Sequence, residues 1–331
     1  MPELPDQLPV AHAEHDSRPD GGESPFRPRL AFTLGDVRGI GPEIVAAALA
    51  DSTITDICTP VVVGPERAGI AVDAPVGRWE PDTYPDAAAR AAAAGRFAGL
   101  ALQRAVRMAL DGEVRGIVTA PLDKAALQAG GYDYPGHTEM LAELTGTRTA
   151  MMLASDRLRV VLATTHIPLR DVPDAVTPEA IGSAATVTRE YLTRWMGVDD
   201  PRLALCALNP HAGDSGRFGT EDDDVLAPAA RANHLAGPFP ADTVFVRAMR
   251  GEFDAVIAPY HDVGMTAIKV ASFGAAVNVT LGLPFPRTSP DHGTALDIAG
   301  RGIADPGSFL AAVRLCATIA ARIAGHQAGR R

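Results

Sequence analysis

Short apolar runs alternate along this chain with longer helical stretches, and this alternation limits the fold more than any other feature. Three segments predict helices: Asp86–Leu110, Thr177–Trp195 and Ser308–Ala324, with Thr177 and Ser308 as N-caps. Strands that alternate with helices form crossover units, so the pattern predicts an α/β fold with a largely parallel sheet. The runs predict seven strands: Leu30–Leu34, Pro60–Gly64, Gly116–Thr119, Arg159–Ala163, Leu203–Leu208, Ala255–Ala258 and Val277–Leu281.

The composition argues against several classes of protein. With 331 residues, 47% of them hydrophobic, the chain can bury a large core. Its net charge of −10 argues against a nucleic-acid partner, because phosphate backbones need basic surfaces. No apolar run approaches the roughly 20 residues of a membrane span, so we expect no membrane partner. The three distant cysteines (Cys58, Cys206 and Cys316) fit a reducing compartment and predict a cytoplasmic protein.

Residues 1–28 are rich in proline and polar residues, and they predict a disordered tail. They lack the basic start and apolar block of a secretory signal.

Three histidines follow predicted strands. They are His166 in ATTHIP, His211 in LNPHAG and His261 in PYHDVG. Because ligand groups collect at the carboxyl ends of strands in such sheets, the three imidazoles predict a site for one divalent ion. Asp242 and Asp262 are candidates for acid–base catalysis or for orienting these histidines.

A second group of residues predicts an anion site. Lys269 lies in an apolar stretch, where a cation is costly unless it meets a partner. Arg287 lies between prolines in PFPRTS, which we interpret as a rigid loop. Lysine and arginine form charge-assisted bonds to phosphate, and threonine and asparagine can orient it. The predicted set is His137, Thr138, Lys269, Asn278 and Arg287.

The segment GDVRGIGPE (residues 35–43) follows a predicted strand and opens a helix. Its glycines allow a tight turn with exposed backbone N–H groups, but the spacing matches neither a Walker loop nor a dinucleotide-binding fingerprint. A plain strand-to-helix turn and an anion or cofactor turn therefore both stay open here. The candidate residues are Gly35, Asp36, Arg38, Gly39 and Gly41.

Eight segments, taken together and in order, resemble the 4-hydroxythreonine-4-phosphate dehydrogenase family of vitamin B6 biosynthesis. The resemblance covers the chain from about residue 30 to residue 310. The segments are GDVRGIGPEI, TAPLDKAAL, YPGHTEMLAELTG, TTHIPLRDVPDAVT, LNPHAGDSGRFGTED, GPFPADTVF, YHDVGMTAIKV and VNVTLGLPFPRTSPDHGTALDIAGRG.

The resemblance implies a homodimer with a fold like that of isocitrate and isopropylmalate dehydrogenases. Two α/β subdomains would flank a cleft at the dimer interface. We expect the first subdomain to comprise residues 29–145 and 286–326, and the second residues 146–285.

The resemblance also implies roles for individual residues. His166, His211 and His261 would bind the metal, with one of them supplied by the partner subunit. His137, Thr138, Lys269, Asn278 and Arg287 would contact the substrate, and the C-terminal block from residue 261 to 287 is consistent with delivery by the partner. The implied reaction is metal-dependent, NAD-linked oxidation of a C3 hydroxyl, followed by decarboxylation. The cofactors would be NAD or NADP and zinc, magnesium, manganese or cobalt.

The chain departs from the family pattern at several positions, which leaves the substrate open. The positions are Val37, Arg38, Ala207, Asp214, Val263, Met265 and Thr266. One alternative keeps the fold and metal site but acts on threonate or erythronate 4-phosphate, or on an aromatic cis-dihydrodiol carboxylate. Another is a non-catalytic metabolite-binding protein.

Overall fold

The computed structural model describes residues 26–272 and 275–328. Most of the predicted tail, residues 1–25, therefore lies outside the described residues. Within them the chain forms eleven strands: β1 (Arg29–Thr33), β2 (Thr59–Glu66), β3 (Ala74–Arg78), β4 (Ile117–Thr119), β5 (Ala150–Ala154), β6 (Arg159–Leu162), β7 (Leu203–Cys206), β8 (Ala236–Phe239), β9 (Ala255–Ala258), β10 (Val277–Leu281) and β11 (Arg287–Ser289).

The same residues form eleven α-helices, together with a few single helical turns. The longest is the alanine-rich helix predicted from the sequence, and Asp86 caps it by accepting the N–H of Ala89. The helices are α1 (Gly41–Ala50), α2 (Ser52–Thr55), α3 (Ala87–Leu110), α4 (Lys124–Ala129), α5 (His137–Thr145), α6 (Val172–Ala175), α7 (Pro178–Met196), α8 (Ala227–Ala232), α9 (Ala241–Met249), α10 (His261–Ser272) and α11 (Gly307–Ala328).

All eleven strands belong to one sheet, in the order β3-β2-β1-β4-β11-β10-β5-β6-β9-β7-β8. Three pairings in its middle are antiparallel, β11 with β10, β10 with β5 and β5 with β6, and the others are parallel. The predicted α/β fold with a largely parallel sheet is confirmed. The strands of the first predicted subdomain are contiguous in this order, as are those of the second. The division itself stays a prediction.

The seven predicted strands are all present, with their ends shifted by at most two residues. The sequence did not predict β3, β5, β8 or β11. One placement was wrong: Arg287 begins strand β11 and is not in a loop. Thr177 caps α7 as predicted, but Ser308 lies inside α11, and the first N–H of that helix, that of Gly307, is bound by Asp305.

Helix α11 corrects the statement that no apolar run approaches the length of a membrane span. Its stretch Gly307–Gly325 is long and apolar enough, by length and composition only, to cross a membrane. In the fold this helix packs against β11, β4, β10 and α7. Phe309, Val313 and Ile319 are fully buried there. The apolar stretch therefore serves the core, as a helix that covers the middle of the sheet.

Candidate active site

A cavity of about 540 Å³ lies over the centre of the sheet. Four adjacent strands, β4, β11, β10 and β5, supply part of its wall, and the starts of α4, α5 and α10 supply more. A pocket of this size fits a small metabolite. Seven of the predicted site residues line it: His137, Thr138, His166, His261, Lys269, Asn278 and Arg287.

These seven residues come from one chain. Delivery of the C-terminal block by a partner is therefore not needed to complete the cavity. Lys269, Asn278 and Arg287 reach it from α10, β10 and β11 of the same molecule that supplies His137 and Thr138.

Arg287 is the largest fully buried side chain of the described residues. Its Nη1 donates to Thr280 Oγ1 at 2.9 Å, and its Nη2 donates to Thr119 Oγ1 at 2.5 Å. Burial lowers the pKa of the guanidinium to about 10, and the nearby Glu139 carboxylate opposes this shift. The group is still a cation at neutral pH, in a place with little water to solvate it.

Two buried polar atoms in the cavity have no hydrogen-bond partner among the described residues. They are Arg287 Nε and Asn278 Oδ1. Buried polar groups in native proteins are almost always hydrogen-bonded, so this donor and this acceptor are available to a ligand in the cavity.

His137 is the first residue of α5 and follows Gly136, which begins the helix without a side-chain cap. Burial lowers the pKa of His137 well below its usual value, and the charges of Arg287 and Lys124 lower it further. The imidazole is therefore neutral at pH 7. A neutral imidazole offers one N–H donor and one acceptor nitrogen to a ligand.

His166 and His261 both line the cavity and lie side by side, with ring centroids 5.4 Å apart and ring planes tilted by 45°. The exposed carboxylate of Asp262 lies 2.7 Å from Nδ1 of His261, which leaves Nε2 of that ring for another partner. Burial lowers the pKa of His166, and Lys124 and His261 act in the same direction. Two imidazoles held in this way, one of them backed by a carboxylate, fit the usual ligand chemistry of a divalent metal.

His211 does not line this cavity. It lies on an exposed turn after β7, with its ring 6.3 Å from the ring of Phe218. Within residues 26–272 and 275–328 of one chain, no group of three histidine, cysteine, aspartate or glutamate side chains is placed to hold a metal. The predicted combination of His166, His211 and His261 therefore does not come together within the described residues of one chain.

The two predicted catalytic acids also differ in position. Asp262 contacts His261, as described above, but its side chain is 83% exposed. Asp242 lies in the first turn of α9 and is exposed away from the cavity lining. A catalytic role for either residue stays a prediction.

Several lining residues were not singled out from the sequence. Lys124 begins α4, after Asp123 caps that helix. Glu139 lies in the first turn of α5, and Asp291 forms a 3.0 Å salt bridge with Lys269 Nζ. Lys124 and Glu139 fall inside the segments TAPLDKAAL and YPGHTEMLAELTG, and Lys124 also follows β4 by five residues, which was a usable signal. His292 also lines the cavity.

The glycine turn lies behind the cavity wall. Gly35 has φ +63°, and a methyl group on it would meet Pro121 O at 2.1 Å, so only glycine fits. The guanidinium of Arg38 donates from Nε and Nη2 to the buried Asp36 carboxylate, at 3.0 and 2.6 Å. The positive charge of Arg38 is therefore paired with Asp36 inside the turn. Neither Gly35, Asp36, Arg38, Gly39 nor Gly41 lines the cavity.

Comparisons with known proteins show which family this chain resembles. The sequence model of the family "Pyridoxal phosphate biosynthetic protein PdxA" matches residues 50–316. A 4-hydroxythreonine-4-phosphate dehydrogenase of Xanthomonas axonopodis pv. citri is 43% identical over 89% of this chain and 99% of its own. A D-threonate 4-phosphate dehydrogenase of Cupriavidus necator is 42% identical, over 90% of this chain and 99% of its own.

A solved structure is similar over the same extent. The crystal structure of a 4-hydroxythreonine-4-phosphate dehydrogenase from Burkholderia phymatum superposes with a TM-score of 0.73 at 39% identity. The match covers 89% of this chain and 98% of the other.

Fold and relatives together define an oxidoreductase of the dehydrogenase class, which acts on a CH–OH group, and the prediction of an enzyme is confirmed. Within that class, the chain belongs to the PdxA family of pyridoxal phosphate biosynthesis.

Proposed function

We propose that this protein oxidises 4-phosphohydroxy-L-threonine, or a closely related phosphorylated hydroxy-acid, at its C3 hydroxyl with NAD or NADP. The β-keto acid formed would then lose CO₂. One observation carries the proposal: the cavity gathers seven predicted ligand residues and leaves Arg287 Nε and Asn278 Oδ1 without partners. A phosphate can accept from the first, and an amine or hydroxyl of the substrate can donate to the second.

The cations of the cavity support a phosphorylated substrate. Lys124, Lys269 and Arg287 line it, in a protein whose net charge is −10. An acidic protein repels anions at long range, so it binds one only where cations are concentrated locally. Lys269 is already paired with Asp291, which orients its ammonium group.

His166 and His261 would hold a divalent ion, with His211 of a second subunit as the third ligand. His211 suits this role because it is exposed and lies apart from its own chain's cavity. A bound zinc, magnesium, manganese or cobalt ion supplies Lewis-acid stabilisation of negative charge on substrate oxygens. Asp262 would fix the tautomer of His261 through its 2.7 Å contact with Nδ1.

The chain's other residues would bind and orient the substrate. Neutral His137 can accept a hydrogen bond from a substrate hydroxyl, because one of its ring nitrogens carries no proton. Buried Arg287 would fix the phosphate, and Asn278 would orient a neighbouring polar group. NAD or NADP would supply the hydride acceptor that this oxidation needs, since no protein side chain can store a hydride.

A second candidate substrate is D-threonate 4-phosphate. The relatives that act on the two substrates are 43% and 42% identical to this chain, so similarity alone does not separate them. The two molecules differ at C2, which bears an ammonium group in one and a hydroxyl in the other. The Glu139 carboxylate in the cavity favours the ammonium, with which it can form an ion pair.

Steady-state NADH formation on three substrates tests the proposal. We expect turnover of 4-phosphohydroxy-L-threonine, weaker turnover of D-threonate 4-phosphate and none of an aromatic cis-dihydrodiol carboxylate. Glu139→Gln should reduce kcat/KM for the amino substrate more than for the threonate. Turnover of the dihydrodiol alone would overturn the phosphate assignment. A preference for the threonate that Glu139→Gln leaves unchanged would favour the second candidate.

A further inference from the structure

The loop that carries His211 is held at its base by a fully buried carboxylate. Asp222 is 0% exposed, at the start of the π-helical turn Asp222–Leu226. Its Oδ1 accepts the backbone N–H of Leu208 at 2.8 Å, and its Oδ2 accepts that of Asn209 at 2.9 Å. Both amides follow β7 and precede His211 by no more than three residues, so the carboxylate fixes the point at which the loop leaves the sheet.

The burial of the Asp222 carboxylate is energetically unfavourable, and few contacts compensate for it. An ionised carboxylate away from water is strongly unfavourable unless charges or hydrogen bonds compensate it. No salt bridge to Asp222 forms among the described residues, and the two backbone amides are its hydrogen-bond donors. A second hydrogen bond joins the loop to the same turn, since Asn209 Nδ2 donates to Glu221 Oε2 at 2.8 Å.

The loop itself has an unfavourable backbone. His211, Ala212, Asp214 and Ser215 all have positive φ, between +45° and +58°. Residues with a Cβ rarely adopt this conformation, and four of them within five positions persist only where the surroundings fix it. Gly213 lies directly over Asp222, since a methyl group on it would be 3.9 Å from Asp222 Oδ2.

We propose that Asp222 is a positioning residue, which holds the His211 loop in its metal-binding conformation before a metal arrives. The inference rests on the proposed function, in which His211 is a metal ligand. A ligand on a fixed loop loses little conformational freedom on binding, whereas a loop that must be ordered weakens binding by that cost. Mutation of a residue that orients a metal ligand commonly weakens metal affinity 10- to 100-fold.

The test compares Asp222→Asn with Asp223→Asn in the full-length, metal-free protein. The amide of the first variant cannot accept both backbone N–H groups, because its NH₂ group is itself a donor. Asp223 is exposed in the same turn, so its variant loses the same charge without touching the loop. Titration with Co²⁺ alone, followed by visible absorbance, should show affinity about 10- to 100-fold weaker for Asp222→Asn and unchanged for Asp223→Asn.

His211→Ala separates failure of this inference from failure of the proposed function. If His211→Ala binds Co²⁺ weakly and Asp222→Asn binds it like wild type, Asp222 does not position the ligand, but the metal site stands. If His211→Ala binds Co²⁺ like wild type, His211 is not a ligand and the proposed metal site fails. Activity gives a further criterion: high Co²⁺ should restore kcat of Asp222→Asn, whereas a general structural defect would lower kcat at every Co²⁺ concentration.

Hydrogen exchange on the wild-type protein decides the matter even if Asp222→Asn does not fold. A preformed loop predicts slow exchange of the Leu208 and Asn209 amides in the metal-free protein, with little change on adding Co²⁺. Fast exchange of these two amides without metal would show that the loop is not held in advance, and would overturn the proposal.

Discussion

Arg287 carries a positive charge in the interior of the protein, and the way it is solvated there explains how the cavity can hold an anion. Two threonine hydroxyls accept from its terminal nitrogens, while Nε stays without a partner. The Glu139 carboxylate is the nearby opposite charge that favours the cationic form. An anionic ligand would supply the missing acceptor and a second negative charge, so its binding recovers part of the cost of burial.

We predict that Arg287→Lys lowers kcat/KM for a phosphorylated substrate by ~10- to 100-fold, equivalent to about 1.5–3 kcal/mol. A lysine keeps the charge but loses the planar fork that reaches both threonines. Arg314→Lys is the matched control, since Arg314 is half exposed and bridges Asp51 at 3.6 Å. Equal kcat/KM for the two variants in steady-state assays would contradict the role given to Arg287.

His137 gives the protein a specific dependence of stability on pH. Its pKa in the folded protein is well below the usual 6.5, mainly because it is buried. Between the folded and unfolded pKa values, the unfolded chain therefore binds more protons than the folded protein. The free energy of unfolding should therefore fall as the pH drops below about 6.5, by up to about 1.4 kcal/mol per pH unit from this residue.

Urea unfolding between pH 7.5 and about 5 measures this effect, and His137→Asn should flatten the curve. His234→Asn serves as the control, because His234 is an exposed histidine. A His137→Asn curve as steep as that of the wild type would show that His137 does not cause the loss of stability.

At the scale of residues, the sequence identified those groups whose chemistry is unusual for their context. Lys269 was notable because it interrupts an apolar stretch, and the three histidines because each follows a strand. Lys124 and Glu139 were missed because charged residues on helices most often lie on the solvated face. The fold shows that both side chains line the cavity.

The turn between β1 and α1 shows how one element supports the cavity without lining it. Asp36 N donates to Pro121 O, and Ile40 N donates to Thr294 O. The turn thus contacts segments adjoining two walls of the cavity, around residues 121 and 293. Its own shape depends on the ion pair of Arg38 with the fully buried Asp36.

We predict that Arg38→Ala lowers the free energy of unfolding by roughly 3 kcal/mol, because it leaves the Asp36 carboxylate buried without its partner. The double variant Asp36→Asn/Arg38→Ala should regain part of this loss. Arg67→Ala removes an exposed pair with Glu80 and should cost less than about 1 kcal/mol. Chemical denaturation measures all three, and equal losses for Arg38→Ala and Arg67→Ala would contradict the prediction.

Two of the four strands that the sequence did not predict have identifiable reasons for being missed. Strand β8 (AGPF) contains glycine and proline and lies at one edge of the sheet, where proline is tolerated. Strand β11 is three residues long and follows a proline, so it has no pattern of its own. It forms because its neighbours β4 and β10 provide a backbone on each side. Whether such a short segment forms a strand depends on pairing partners that are distant in the sequence.

For the whole molecule, one continuous sheet places the cavity where parallel and antiparallel strands meet. His166 follows β6 and His261 follows β9, and these strands are neighbours, so the two imidazoles lie together. His211 follows β7, which pairs with β9 on its other side, yet its loop directs it away from this cavity. The sequence therefore predicted three histidines at strand ends correctly, but it could not tell which of them share a cavity.

This arrangement fixes which mutant chains can complement each other in a homodimer. Suppose that each site uses His166 and His261 of one chain and His211 of the other. In a heterodimer of His166→Ala with His211→Ala chains, the cavity of the His211→Ala chain keeps its own two histidines and receives His211 from its partner. One of the two sites is then intact. Random reassortment makes about half of the dimers mixed, so the mixture should recover about a quarter of wild-type activity.

The pair His166→Ala with His261→Ala is the decisive contrast. Both residues belong to the same cavity, so each site in that heterodimer lacks one ligand and the mixture should stay inactive. Refolding or subunit exchange of each pair, followed by NADH formation, measures both outcomes against the separate mutants. Recovery by His166→Ala with His261→Ala, and not with His211→Ala, would mean that His261 crosses the interface. Recovery by neither pair, with each mutant folded and dimers exchanged, would mean that the two subunits do not share their metal ligands.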